Sequence, residues 1–299
     1  MDSIRKCELC PRKCRVDRLK GQKGFCKAGA NPVVYSYFPH FGEEPPISGT
    51  RGSGTIFFTH CTMRCVYCQN YSFSQLSDEK EITIAKLTEI MLTLERRGCH
   101  NINLVTPAHF VPHILEALLS AIKKGLAIPV VYNTGGYESV RTLKLLDGVV
   151  DIYLPDMRYG DDENANKFSA APDYVKINQD ALQEMFRQVG NLATDTEGIA
   201  KRGLIIRHLV LPNGIASTDK VFDFVSKKLS KDVYISLMSQ YHPTYRAAEF
   251  TEINRRITKK EYEEAVKLFF KYGLSNGWIQ DPTENVNSIL LGTNIKQTG

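Results

Sequence analysis

The chain has 299 residues, of which 42% are hydrophobic and 24% charged, and it carries eight cysteines and a formal net charge of +5. That length and composition suit a globular protein with a sizeable core, and argue against a disordered or fibrous chain. No apolar run approaches the ~20 residues of a membrane span, and the opening MDSIRKCELC lacks the apolar stretch of a signal peptide. The sequence therefore predicts a cytoplasmic protein with no membrane association, whose clustered cysteines serve metals or chemistry rather than disulfides.

Taken in order, the chain begins with its most basic segment. Residues 1–30 hold nine basic and three acidic side chains, a net +6, which leaves −1 for residues 31–299. In that segment CELCPRKCRVDRLKGQKGFC spaces Cys7, Cys10, Cys14 and Cys26 by two, three and eleven residues. Four thiolates, with Pro11, Gly21 and Gly24 to shape a knuckle, can wrap one metal centre, either zinc or Fe–S. The surrounding cations would offset the negative charge of such a centre. They would equally suit RNA or an acidic protein, so nucleic-acid binding is not predicted from them. Residues 1–50 read as a small Cys-rich, basic metal-binding module.

From about residue 50 β-rich runs alternate with helical patterns. The runs are TIFFT (55–59), INLVT (102–106), IPVVY (128–132), DIYLP (151–155), LIIRHLV (204–210) and VYISLM (233–238). Most are continuously apolar, as strands covered on both faces should be. Between them, 83–98 repeats Ile84, Leu87, Met91 and Leu94 at gaps of three and four, with Thr83 as N-cap and Gly98 past the end. Segment 178–190 carries Leu182, Met185, Phe186 and Val189, and 258–273 opens on a Thr258–Glu261 capping box and stops at Gly273. About six βα units predict an α/β fold with a parallel sheet, open or in the form of a partial (β/α)6 barrel of the TIM type over 51–282. The polar tail 283–299 is expected to be poorly ordered.

Directly after the first run, FFTHCTMRCVYCQNYS (57–72) holds Cys61, Cys65 and Cys68 at gaps of three and two. In parallel barrels chemistry gathers at the C-terminal ends of the strands, where this loop lies. Four cysteines would close a zinc site, whereas three on a [4Fe–4S] cluster leave one iron open to a ligand. The competing reading is zinc completed by His60, although adjacent His60 and Cys61 are poorly placed for one tetrahedral ion. Cys99 reads as a small buried apolar residue.

C-x3-C-x2-C with Tyr67 before its last cysteine resembles the radical S-adenosylmethionine (SAM) superfamily. CTMRCVYCQN is similar to the cluster loop of pyruvate formate-lyase activating enzymes, and NTGGYESV (133–140), LPDMRY (154–159) and QYHP (240–243) resemble later motifs of that group. The resemblance covers residues 50–280, and looks nearest to an activase-related group with cysteines ahead of the barrel. It implies a [4Fe–4S] cluster on Cys61, Cys65 and Cys68, with SAM on the open iron. Reduction would then cleave SAM to methionine and a 5′-deoxyadenosyl radical that abstracts hydrogen. The electron would come from a low-potential flavodoxin or ferredoxin.

Carried over residue by residue, the resemblance puts Tyr67 beside the adenine and backbone carbonyls near Thr106 at the SAM amino group, although VTPAHF (105–110) lacks the family's Gly-Gly-Glu. Asn133 would meet the ribose or carboxylate; its other role is a turn-forming Asn. Asp156 and Arg158 stand where the family has Asp-x-Lys, and Arg158 would pair with the SAM carboxylate unless the two form only an ion pair. His242 aligns with a histidine near SAM. Arg207 and His208 are further candidates, and a buried Arg207 requires a partner carboxylate. The expected function is therefore a radical SAM enzyme acting on a protein glycine, in the manner of an activase, or on another substrate. The rival is a non-catalytic zinc protein that holds nucleic acid with its basic arm.

Overall fold

The computed structural model describes residues 2–77, 80–280 and 295–297. One ten-stranded sheet organises them. It opens with β1 (Val34–His40), followed by the short α1 (Pro45–Ser48) and β2 (Ser53–Phe58), then by α2 (Tyr71–Ser74) and α3 (Ile84–Arg96). Next come β3 (Ile102–Val105), α4 (Val111–Lys123), β4 (Val130–Thr134), α5 (Val140–Leu143) and β5 (Ile152–Pro155). After α6 (Asp162–Ser169) and α7 (Tyr174–Val189), a two-residue β6 (Ala193–Thr194) leads into β7 (Ala200–Leu209). The last elements are α8 (Thr218–Phe224), β8 (Tyr234–Met238), α9 (Lys259–Lys271), β9 (Gly277–Gln280) and β10 (Ile295–Gln297).

Strands β2, β3, β4, β5, β7, β8 and β9 run parallel in that spatial order. The antiparallel β1 and β10 stand at the two ends of the path. All six expected strands are present. The sequence reading omits a seventh parallel strand, β9, whose residues GWIQ lack the continuous apolar run that marks most of the others. It also omits β1, where Pro39 argues against an interior strand; the structure accommodates Pro39 because β1 lies on the edge.

Period-two alternation sorts the side chains. One face of each strand packs on the helices: Ile56, Phe58, Leu104, Tyr132, Ile206 and Leu237 share a core with Leu87, Met91, Ile114, Leu182, Phe222 and Phe269. The other face points into the barrel. Its lower layer is apolar, with Ile47 from α1 packed on Val131, Ile152, Leu154, Ile205 and Trp278. Two residues further along β4 and β7 the inward positions become Asn133 and Arg207. Residues 34–48, grouped by sequence with the cysteine module, thus supply an edge strand and the plug of the barrel.

Ahead of β1, the cysteine segment lies against the barrel. Arg18, 1% exposed, donates through Nε to the Gly29 carbonyl and through Nη1 to that of His109, each at 2.6 Å. Thr142 Oγ1 donates to the Leu9 carbonyl at 2.6 Å.

Candidate active site

The three-cysteine loop leaves β2 through His60, whose φ of 67° is in the left-handed region and turns the chain sharply. Backbone hydrogen bonds then fix it: Arg64 N–H and Val66 N–H donate to Ser169 and Phe168 at the end of α6, both at 2.9 Å. On its other side Arg246 N–H donates to the Val66 carbonyl at 2.8 Å. The three thiols are free and line one cavity of about 460 Å³. Each has a polar neighbour. Met63 N–H donates to Cys61 Sγ at 3.4 Å and Ser169 Oγ–H to Cys65 Sγ at 3.0 Å, while Cys68 Sγ lies 3.4 Å from Ser74 Oγ.

Burial pushes the Cys61 thiol up to about 12, and the neighbouring Cys65 adds to the shift. Cys68 is raised for the same two reasons. A bound cation would oppose this rise, because its charge compensates the thiolates that ligate it. Among the described residues no group of three or more His, Cys, Asp or Glu side chains is already arranged as a metal-ion site.

The same cavity is lined by Tyr67, Thr106, Asn133, Asp156, Arg158 and Arg207. Tyr67 is held by a 2.5 Å hydrogen bond between its hydroxyl and that of Tyr159, and by the Tyr241 ring at 5.7 Å. Thr106 has a positive φ of 58°, so β3 ends in a turn. Arg158 Nη2 donates to Asp156. Burial opposes the charge of Arg158, but Asp156 and then Cys65 hold the guanidinium well above its ordinary value. Its Nε has no protein partner.

Arg207 has the partner its burial requires, twice over. It donates to Glu44 through Nε and Nη2, both at 2.8 Å, to Glu43 through Nη2, and to Asn133 Oδ1 at 3.3 Å. Burial would raise the Glu43 carboxyl, but Arg207, with His40 at 3.4 Å, brings it down to about 2. Sequence reasoning missed Glu43, Glu44 and His40; the only local signal was the acidic pair before Pro45. It also missed Tyr241, which lines the cavity where His242 does not. His242 Nδ1 lies 3.4 Å from the Gln240 carbonyl. His208 faces away from the cavity, between the Met157 carbonyl at 2.7 Å and Thr218 Oγ1 at 2.9 Å. Burial lowers His60 to about 4, and it too lies outside the lining. Cys99 is 2% exposed in the apolar core.

Cys7, Cys10 and Cys26 are buried and Cys14 half-buried. Burial raises the thiols of Cys10 and Cys26. Cys14 Sγ accepts from Phe25 N–H at 3.4 Å, and a Cβ on Gly24 would come within 2.8 Å of that sulfur, so a glycine is needed there. Nearby, Glu138 is 2% exposed, and burial lifts its carboxyl to about 7 although Thr134 and Tyr132 donate to it.

The family model of the Radical SAM superfamily matches residues 55–197. The chain is 36% identical over 278 residues to the uncharacterized protein MJ0674 of Methanocaldococcus jannaschii, covering 91% of this chain and 76% of that one. A second uncharacterized protein of that organism, MJ0808, is 22% identical over 275 residues, covering 83% and 74%. Among solved structures, the FeFe-hydrogenase maturase HydG from Carboxydothermus hydrogenoformans is similar with a TM-score of 0.49 and 12% identity. That match covers 78% of this chain, which spans about half of HydG, 54%.

Proposed function

Because the chain belongs to the radical SAM superfamily, whose enzymes use a [4Fe–4S] cluster and SAM, we propose that Cys61, Cys65 and Cys68 hold that cluster. The observation that carries this is that the three thiols share one cavity with Tyr67, Asn133, Asp156 and Arg158. The donor set fits: three thiols with no disulfide between them, and an unpartnered Arg158 Nε beside them. The bound cluster supplies the electron that cleaves SAM to methionine and a 5′-deoxyadenosyl radical.

The chain's own residues bind and orient. Arg158, fixed by Asp156, meets the SAM carboxylate, and a guanidinium can do so with two parallel hydrogen bonds. Asn133, held through Arg207, would meet the ribose or the carboxylate, Tyr67 would lie beside the adenine, and backbone carbonyls near Thr106 would accept from the amino group. The hydrogen donor is a protein, in the manner of a glycyl-radical activase, or another substrate. The electron comes from a low-potential flavodoxin or ferredoxin. Cys7, Cys10, Cys14 and Cys26 hold a second metal, zinc or Fe–S. A reducing cytoplasm suits eight free cysteines, and no described helix is long and apolar enough to cross a membrane.

The test is release of 5′-deoxyadenosine from SAM and dithionite by anaerobically reconstituted protein, beside a Cys61→Ala/Cys65→Ala/Cys68→Ala variant. Release by the parent alone is the expected result. A parent that carries a full cluster and releases nothing would refute the reading.

A further inference from the structure

We propose that Ser169, Tyr159 and Tyr67 are positioning residues that set the reduction potential of the cluster held by Cys61, Cys65 and Cys68, through a chain of hydroxyls that ends on the Cys65 sulfur. This rests on the radical SAM reading above. Ser169 Oγ–H donates to Cys65 Sγ at 3.0 Å. Tyr159 Oη lies 2.7 Å from Ser169 Oγ, and Tyr67 Oη lies 2.5 Å from Tyr159 Oη. The chain leaves the cysteine loop at Tyr67, crosses to the segment after β5 and to the end of α6, and returns to the loop at Cys65.

Ligation would fix the direction of these bonds. A thiolate that holds iron can only accept, so Ser169 must donate to it. Ser169 Oγ has one hydrogen, so it accepts from Tyr159, and Tyr159 accepts from Tyr67. Every O–H then points along the chain toward the sulfur, and hydrogen bonds aligned in this way polarise one another. The chain is shielded from solvent: Tyr159 and Ser169 are fully buried and Tyr67 is 3% exposed. Main-chain bonds hold its geometry. Arg64 N–H and Val66 N–H, on either side of Cys65, donate to the Ser169 and Phe168 carbonyls.

Satisfying buried hydroxyls does not require this arrangement. Tyr137, Tyr174 and Tyr241 pack in the same core, and each hydroxyl ends on a main-chain carbonyl: that of Pro172 at 3.0 Å, Gly135 at 3.2 Å and Ile253 at 2.6 Å. Tyr67 and Tyr159 instead lead, through Ser169, to a cluster ligand. Hydrogen bonds to its sulfurs are among the factors that set the potential of an Fe–S cluster. A donor stabilises the more electron-rich, reduced state. The chain therefore raises the potential and eases entry of the electron, with no proton transferred and no bond made or broken.

The test is an EPR-monitored redox titration of the reconstituted protein without SAM, following the signal that Cys61→Ala/Cys65→Ala/Cys68→Ala lacks. Ser169→Ala should lower the ratio of reduced to oxidised cluster at a fixed potential about tenfold, a shift of about 59 mV for one electron. Tyr159→Phe keeps the ring and the Ser169 bond to sulfur, and should lower the ratio about twofold. Tyr67→Phe should act in the same direction and by less. Tyr241→Phe, whose ring lies against Tyr67 but whose hydroxyl is outside the chain, should leave the ratio unchanged. That order follows distance from the sulfur, which a packing role alone would not produce. Should Ser169→Ala not hold the cluster, Tyr159→Phe decides. Parent ratios in Ser169→Ala and Tyr159→Phe, or a shift in Tyr241→Phe as large as in Tyr159→Phe, overturn the proposal, while a parent that cleaves SAM leaves the radical SAM reading intact. A parent without the signal sinks that reading and the hydroxyl chain's role with it.

Discussion

The two cysteine loops are held in place by different means. The barrel loop follows a parallel strand and is fixed by main-chain hydrogen bonds to α6 and to residue 246. Its position is a consequence of topology. Among the described residues no strand precedes the N-terminal loop, and side chains dock it: Arg18, Arg12 and Arg64, with Thr142 on the Leu9 carbonyl. A site set by sheet topology tolerates change around it, whereas one set by a few charge-assisted contacts can be undocked by a single substitution.

The largest expected effect tests the barrel loop. Cys65→Ala should reduce 5′-deoxyadenosine release to background while circular dichroism leaves the fold unchanged; activity at the parent's level would mean the loop is not the cluster site. Next comes the charge cluster behind it. Arg207→Met leaves Glu43 and Glu44 buried without a cation, and should cost about 3–5 kcal/mol in urea unfolding. Adding Glu43→Gln and Glu44→Gln to Arg207→Met should recover most of that.

The sign with pH follows from Glu43, depressed from its ordinary 4.5 to about 2. The pair's contribution is complete above about 4.5 and fades as pH falls toward 2, so parent and Arg207→Met should converge in acid. A gap that stays constant to pH 2 would show that Glu43 is not the group involved.

Glu138, beside the N-terminal module, should behave oppositely. Its carboxyl is raised from 4.5 to about 7 by burial, so the folded state keeps a proton that the unfolded chain loses. The penalty is absent below 4.5, grows as pH rises, and is complete above 7. Glu138→Gln should therefore match the parent near pH 4.5 and be more stable at pH 8, by on the order of 2–3 kcal/mol. Equal stability at both values would mean that the carboxyl is not buried in solution. The smallest effect sharpens the comparison itself. Arg12→Ala should cost about 2 kcal/mol and raise amide exchange in residues 2–30 while the barrel strands keep their protection. Uniform loss of protection would show that the module and barrel unfold as one.

Much of this was legible in the sequence where the signal is local. The six predicted strands, the helix begun by the Thr258–Glu261 capping box and the cysteine spacing all depend on neighbours in the chain. The elements missed depend on distant partners. β9 is a strand because β8 and β10 flank it, and β1 because β2 does. Arg207 called for a carboxylate, but nothing in the sequence indicates that Glu43 and Glu44, more than 160 residues away, supply it. His242 and Tyr241 adjoin in sequence, and only the backbone direction after β8 decides which one faces the cavity. The contacts of Arg12 with the Thr62 carbonyl and of Arg64 with the Phe25 carbonyl, which join the two cysteine loops, belong to this same long-range class.

The most direct test of the central claim is the EPR spectrum of the reduced Cys7→Ala/Cys10→Ala/Cys14→Ala/Cys26→Ala variant, recorded with and without SAM. With the barrel cluster alone, the account predicts that SAM shifts its g values, because SAM would bind the iron that Cys61, Cys65 and Cys68 leave open. A reduced cluster whose spectrum SAM does not change would contradict it.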